Sequence, residues 1–123
     1  ELYPTKVWDI NESSTVTRVS VQGQTVLFTG DALNNATDDM EKRYGAALQS
    51  DILQVNHHGS YDKMKASFYE TVRPTVAIFP TSSVAFADYR THGMNQALLA
   101  IVREWIVTDD QLWVLPLPYQ AKA

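Results

Sequence analysis

The order of apolar segments in the middle of the chain is the feature that most constrains its fold. Apolar runs of β type at 25–29, 50–56 and 75–79 alternate with segments at 35–48 and 63–72 that carry apolar residues at helical spacing. Prolines follow the last helix and the last strand of this series, and proline cannot continue either element. Strands and helices in alternation predict an α/β layered domain with several parallel or mixed strands.

The flanking segments extend this pattern at both ends. Residues 16–21 and 25–29 lie on either side of a short glycine-containing turn, which predicts a β-hairpin. Residues 95–105 place apolar side chains on one helical face, and 112–117 predicts a last strand. Between them, 81–91 is the longest stretch without a predicted element, and long loops at strand ends are often functional.

Charge and composition exclude several classes of function. The formal net charge is -4, so the chain has no basic surface to neutralise a phosphate backbone, and direct nucleic-acid binding is not expected. The absence of cysteine excludes disulfides, thiolate zinc sites and cysteine nucleophiles. Neither a membrane span nor a signal peptide is visible in the sequence, so membrane binding is not expected and no compartment is indicated.

A carboxylate follows the apolar run at 25–29. Gly30 permits a bend of the backbone, and Asp31 then projects from the carboxyl end of the strand. Strand ends hold side chains rigidly where a metal or a substrate can reach them. The alternative for Asp31 is a helix N-cap or an Asx-turn, where aspartate is favoured for local hydrogen bonding.

Two of the three histidines, His57 and His58, stand together after the run at 50–56. Neighbouring residues of a strand face opposite ways, so in extended geometry the two rings cannot bind one ion and should have different roles. One can ligate a divalent metal through a neutral ring nitrogen, and the other can contact substrate oxygen or transfer a proton. The alternative is a solvated turn or a packed histidine with ordinary hydrogen bonds.

The third histidine, His92, lies at a predicted junction between a loop and a helix. It is either a further group on the substrate side of a site or a residue that only begins the helix.

The motifs occur in a specific order along the chain. A strand with TGD is followed by a helix, a strand with HHGS, a helix with VRP, a further strand and a late histidine. This order resembles the C-terminal half of the metallo-β-lactamase superfamily, above all the branch of competence-type DNA-uptake hydrolase domains and secreted phosphorylcholine esterases. The stretches that carry the resemblance are 11–16, 27–32, 50–60, 68–74, 76–79 and 92–93, most of the chain.

The resemblance implies an αββα sandwich, of which this chain forms the C-terminal half with helices on one side of a mixed sheet. It implies that Asp31 bridges two divalent metal ions and that His58 is a ligand of the second ion. It further implies that His57 touches the substrate phosphate and that His92 is a second catalytic histidine. Zinc is the usual ion for such nitrogen and oxygen ligands, with manganese as the other candidate.

The main metal motif of the superfamily, HxHxDH, is not present in residues 1–123. We therefore expect 1–123 to be a single domain that forms the C-terminal part of a larger metallo-β-lactamase-like domain whose N-terminal half is missing. The intact protein is expected to hydrolyse small phosphate esters with metal ions, and this chain alone to be inactive and to bind metal weakly or not at all. The alternatives are a non-catalytic binding or scaffold domain and the nuclease domain of a DNA-uptake system.

Half of a two-sheet fold exposes an apolar sheet face, and such patches favour association. The expected partners are the missing N-terminal half of the same protein and, for the isolated chain, a second copy in a homodimer. Large aromatic side chains are expected in the core or in an interface, without catalytic roles. They are Trp8, Phe28, Phe79, Trp105 and Trp113.

Overall fold

The structure, a computed structural model, describes residues 14–60 and 65–122. Its five-stranded sheet has the order β1-β2-β3-β4-β5, which is also the order along the chain. The hairpin pair β1 and β2 is antiparallel, whereas β2 to β5 run parallel to one another. The prediction of an α/β domain with a mixed sheet is therefore confirmed. The strands are β1 Thr17–Val21, β2 Gln24–Phe28, β3 Ile52–Gln54, β4 Val76–Phe79 and β5 Glu104–Val107.

The hairpin forms where the sequence predicts it. Val19 lies opposite Val26 in the ladder. The two turn residues, Gln22 and Gly23, have φ angles of 49° and 80°. Positive φ at both positions matches the right-handed twist of the flanking strands, and glycine adopts it without strain.

In the part of the chain that the structure describes, four α-helices lie between successive parallel strands. They are α1 Asn34–Tyr44, α2 Ser67–Val72, α3 Ser83–Tyr89 and α4 Gly93–Ile101. A short 3₁₀ turn at Gly45–Leu48 continues α1, so these two pieces together account for the helix predicted at 35–48. The helix predicted at 63–72 is present but shorter, because α2 begins at Ser67, and residues 63–64 lie outside the described residues.

The main core lies between the sheet and the helices. Leu27, Leu53 and Ala77 lie side by side on neighbouring strands and are fully buried. All four helices contribute to the same cluster, with Ala36, Phe68, Phe86 and Leu98 among the buried residues. Burying each large apolar side chain contributes roughly 1.5–3 kcal/mol, so this cluster holds the helices on one face of the sheet.

The opposite face of the sheet is covered by the C-terminal segment. Val26, Ile52, Val76 and Ile106 form a second cluster, against which Leu115, Leu117 and Tyr119 pack. The side chain of Gln24 fixes this segment, because its Nε2 donates to the carbonyl oxygen of Tyr119 at 2.8 Å and its Oε1 accepts from the Tyr119 amide at 2.7 Å. A groove lined by Phe28, Ile78 and Trp113 remains open on this face.

The prediction of an irregular loop at 81–91 is wrong, because α3 occupies most of it. Ser82 has extended backbone geometry and its hydroxyl oxygen accepts a hydrogen bond from the Ala85 amide at 3.1 Å, which is an N-cap. Phe86 then packs edge to face on Phe79, with 4.8 Å between ring centroids. The cap and this aromatic contact help to stabilise a helix of 7 residues that lacks a long apolar repeat.

The helix predicted at 95–105 ends earlier, and the strand predicted at 112–117 is absent. The residue after α4, Val102, is extended, and Trp105 lies in β5 opposite Ala77 of β4. Backbone pairing with β4 therefore outweighs the helical spacing of Trp105. Prolines 116 and 118 have no N–H to donate to a ladder, which explains why 112–117 packs on the sheet without joining it.

The five aromatic residues differ in their environments. Phe79 is fully buried, as predicted for the core. Phe28 and Trp113 are each 48% exposed and Trp105 is 39% exposed. Trp8 lies outside the described residues. None of the helices within 14–60 and 65–122 is long and apolar enough to cross a membrane.

Candidate metal centre at the rim of the sheet

Two loops meet at one edge of the sheet. The strands β2 and β3 are parallel neighbours that end at Phe28 and Gln54, so the residues after them emerge side by side. The amide of His57 donates to the carbonyl oxygen of Gly30 at 3.0 Å, which joins the loop after β3 to the turn after β2. Asp31 and the two adjacent histidines are thereby brought to the same rim.

The turn before Asp31 requires glycine. Gly30 has a φ of 56°, and a side chain there would meet the Cβ of Ser14 at 3.1 Å. The hydroxyl oxygen of Ser14 accepts a hydrogen bond from the Asp31 amide at 3.1 Å. These contacts fix the backbone on both sides of Asp31 and leave its side chain 42% exposed at the rim.

Asp31 and His58 face each other across this rim. The Nε2 of His58 lies 3.6 Å from Oδ1 of Asp31, and the two side chains are 53% and 42% exposed. The other ring nitrogen, Nδ1, lies 2.7 Å from the carbonyl oxygen of Pro80. A carbonyl only accepts, so Nδ1 carries a hydrogen, and Nε2 is the ring nitrogen on the side of Asp31 that could ligate a metal.

The separation of the Asp31 and His58 side chains is suitable for binding one metal ion between them. Two ligands at about 2.1 Å from a tetrahedral ion lie about 3.4 Å apart, close to the separation of Nε2 and Oδ1. A neutral imidazole held by a carbonyl through its second nitrogen is the usual state of a histidine ligand. Within residues 14–60 and 65–122, no three His, Cys, Asp or Glu side chains form a metal-binding group. The described residues thus bring together two donors where zinc takes about four.

His57 does not have the strand geometry that the sequence predicts. The two histidines form a turn in which His57 and His58 have φ angles of 50° and 61°. Their rings are edge to face, with 6.1 Å between centroids. Nδ1 of His57 lies 2.6 Å from the hydroxyl of Ser60, which itself donates to the His57 carbonyl oxygen at 2.9 Å. The different roles proposed for the two rings are compatible with this turn, although its backbone is not extended.

His92 begins α4, as its sequence position predicts, and its ring lies near a carboxylate of α3. Its Nε2 lies 3.8 Å from Oδ2 of Asp88, and its ring packs on Tyr89 with 5.9 Å between centroids. The side chain is 16% exposed, and its Nδ1 is buried without a hydrogen-bond partner among the described residues. The structure therefore brings Asp31 and His58 together and places His92 at the junction of α3 and α4.

A buried amide links this junction to the histidine loop. Asn95, in the first turn of α4, is fully buried and its Nδ2 donates to the carbonyl oxygens of Gly59 and Tyr89 at 2.8 and 2.9 Å. Gly59 has a φ of 84°, and a Cβ there would lie 2.9 Å from Cδ1 of Phe79. The loop that carries His57 and His58 is thus anchored to the core and to α4.

The residues that hold the backbone around Asp31 and His58 were not predicted from the sequence. Gln54, Asn95 and Ser14 each bond to backbone atoms that are distant in sequence. The available signal was indirect, since Gln54 is polar within an apolar run and Asn95 lies among apolar helix residues. Such a pattern marks a polar residue that needs a partner, but the partner emerges only from the fold.

Part of the chain is similar to a known protein. No protein-family model matches the chain. A stretch of 84 residues, 68% of the chain, is 34% identical to Competence protein ComA from Neisseria gonorrhoeae. This stretch spans 12% of the length of that protein, so the similarity concerns a small part of it.

Proposed function

We propose that this chain is the C-terminal part of a metal-dependent hydrolase of the metallo-β-lactamase superfamily within a competence-related protein. The intact protein would cleave phosphate esters. The observation that carries the proposal is the 3.6 Å separation of Asp31 Oδ1 and His58 Nε2 at the carboxyl ends of two parallel strands. The similarity to a competence protein supports the same branch of the superfamily.

In this proposal Asp31 would be a ligand shared by two divalent ions, zinc or manganese, and His58 would ligate the second ion through Nε2. When bound, the ions supply a hydroxide nucleophile at neutral pH and stabilise negative charge on the attacked phosphorus. His57 contacts an oxygen of the substrate phosphate, with its ring oriented through Ser60. His92 is the second catalytic histidine and is held at the start of α4.

The remaining ligands would come from another part of the same protein, which we propose packs on the second face of the sheet. Phe28 and Trp113 leave an apolar groove there, and each of these side chains is 48% exposed. The isolated chain would bind metal weakly, show no turnover and pair with a second copy through this face. Light scattering of the isolated chain would reveal the dimer, and a monodisperse monomer would contradict the pairing.

Turnover of bis(p-nitrophenyl) phosphate by the intact protein, with zinc or manganese added, tests the proposed chemistry. Asp31→Asn and His58→Ala should each lower kcat/KM by at least about 100-fold, because each removes a ligand of the nucleophile-activating ions. Asp110→Asn, at an exposed carboxylate after β5, is the matched control and should keep wild-type activity. If the protein is instead a non-catalytic scaffold, the wild type should show no turnover, and neither variant should change the cellular function.

The similarity to a competence protein also favours a second candidate, a nuclease of a DNA-uptake system. DNA is a phosphodiester, so the same two residues would act on it. The net charge of -4 does not provide a surface for DNA in this chain, which places any DNA-binding surface elsewhere. Comparing single-stranded DNA with the small ester as substrates separates the two candidates, because a nuclease should show a far higher kcat/KM on DNA.

A further inference from the structure

The side chain of Gln54 lies between the two loops of the candidate metal centre. Its Oε1 accepts hydrogen bonds from the amides of Thr29 and Gly30 at 3.0 and 2.9 Å. Its Nε2 donates to the carbonyl oxygen of Val55 at 2.7 Å and approaches that of Gly30 at 3.4 Å. One amide group therefore engages the backbone on both sides of the rim.

These contacts extend the sheet beyond its last paired residues. The register of β2 and β3 ends where Phe28 faces Gln54. Beyond this pair, the Gln54 side chain accepts the hydrogen bonds of the Thr29 and Gly30 amides that a further residue of β3 would otherwise accept. The Thr29 hydroxyl in turn donates to the Gln54 carbonyl oxygen at 2.7 Å. The turn that leads into Asp31 is thus held to the end of β3 by a side chain as well as by the backbone.

Gly30 connects the Gln54 side chain to the backbone that carries Asp31 and to the loop that carries His58. It precedes Asp31, and its carbonyl oxygen accepts the amide of His57 at 3.0 Å. A shift of Gly30 would therefore move Asp31 relative to the loop that carries His58. Gly30 has a φ of 56° and glycine has wide conformational freedom, so its geometry depends on such external contacts.

We infer that Gln54 is a positioning residue that sets the separation of Asp31 and His58 for metal binding. The inference rests on the proposed function, since it concerns the same two ligands. Gln54 touches neither the substrate nor the ions and acts through Gly30. Groups that orient metal ligands typically change metal affinity by 10–100-fold when they are removed.

Cobalt binding by the intact protein tests this role without any assay of activity. The visible absorption of bound Co²⁺ reports its coordination, and titration gives its Kd. Gln54→Met keeps the size of the side chain and removes its hydrogen bonds, so it should raise the Kd for Co²⁺ about 10–100-fold and alter the absorption band. Gln96→Met, on the exposed side of α4, is the matched control and should bind Co²⁺ like the wild type. Gln54→Asn, whose side chain is shorter by one methylene, should show the same loss of Co²⁺ affinity. It replaces Gln54→Met in the test if that variant does not fold.

The outcomes distinguish this inference from the proposed function. If the folded Gln54 variant has the wild-type Kd and absorption, the positioning role is overturned while the proposed function stands. A variant that is less stable yet binds Co²⁺ normally would likewise reduce Gln54 to a structural residue and overturn the inference. If wild-type binding is absent or is unaffected by Asp31→Ala, the proposed function fails and the inference fails with it.

Discussion

Asn95 donates a side-chain hydrogen bond to the carbonyl oxygen of Gly59 at 2.8 Å, across 36 residues of sequence. The second hydrogen of the same amide goes to the carbonyl oxygen of Tyr89. One buried side chain thereby holds the histidine loop, the end of α3 and the start of α4 together. The geometry of the candidate site depends on such contacts as much as on the residues that would bind metal.

Replacing Asn95 should destabilise the chain through this link. Asn95→Ala leaves the buried carbonyl oxygen of Gly59 without its donor, which costs about 1–3 kcal/mol, whereas the Tyr89 carbonyl oxygen still accepts from the His92 amide at 3.0 Å. Gln96→Ala, at the exposed neighbouring position, should change the free energy of unfolding by less than about 0.5 kcal/mol. Urea unfolding of the 123-residue chain measures both. Equal effects of the two substitutions would show that the Asn95 contacts carry no stability.

Gly59 should not tolerate a side chain. An added Cβ would lie 2.9 Å from the ring of Phe79, which is fully buried and packs on Phe86, and φ is 84°. Gly59→Ala should therefore cost about 2–4 kcal/mol from overpacking and backbone strain together.

Gly93→Ala is the control for this substitution, because the Cβ would meet nothing within 4 Å. It should be neutral or stabilise the chain by about 0.4–1 kcal/mol through reduced freedom of the unfolded chain. Thermal or urea unfolding compares the two. If Gly59→Ala is as stable as Gly93→Ala, the close packing of the histidine loop on Phe79 is wrong.

The contact between Tyr119 and Glu104 should make stability depend on alkaline pH. The Tyr119 hydroxyl donates to the Glu104 carboxylate, with 2.8 Å to Oε1, and this hydrogen bond is the main cause that raises the pKa of Tyr119. The stabilisation is fully present below the unfolded pKa of about 10 and is lost as pH rises through the higher folded pKa. The stability difference between wild type and Tyr119→Phe should be constant from about pH 8 to 9.5 and shrink above about pH 10. A difference that stays constant to pH 12 would contradict this contact.

Elements that depend on local sequence signals could be predicted from the sequence. The hairpin turn at Gly23 and the alternation of strand and helix predict the mixed sheet. The approach of Asp31 to His58 was implied by the family resemblance of the TGD and HHGS motifs and not by the strand pattern. Trp105 shows the limit of such signals, because its spacing fits α4 while pairing with β4 places it in a strand. Tertiary pairing outweighed local periodicity there.

Other features depend on contacts that have no counterpart in sequence spacing. The helix α3 is short and depends on the Ser82 cap and on one aromatic contact of Phe86. Gln54 and Asn95 bond to backbone atoms that only the folded chain brings near. Their polarity within apolar surroundings indicates a buried partner, but it does not identify that partner.

The zinc content of the intact protein shows whether Asp31 and His58 belong to one metal centre. After loading with zinc and gel filtration into zinc-free buffer, elemental analysis should give about two zinc ions per wild-type chain, the number that a two-metal hydrolase site would hold. Asp31→Ala and His58→Ala should each retain at most about one ion, while Asp110→Ala should match the wild type. Undiminished zinc in Asp31→Ala and His58→Ala, with both variants folded, would show that these two residues do not bind the metal ions.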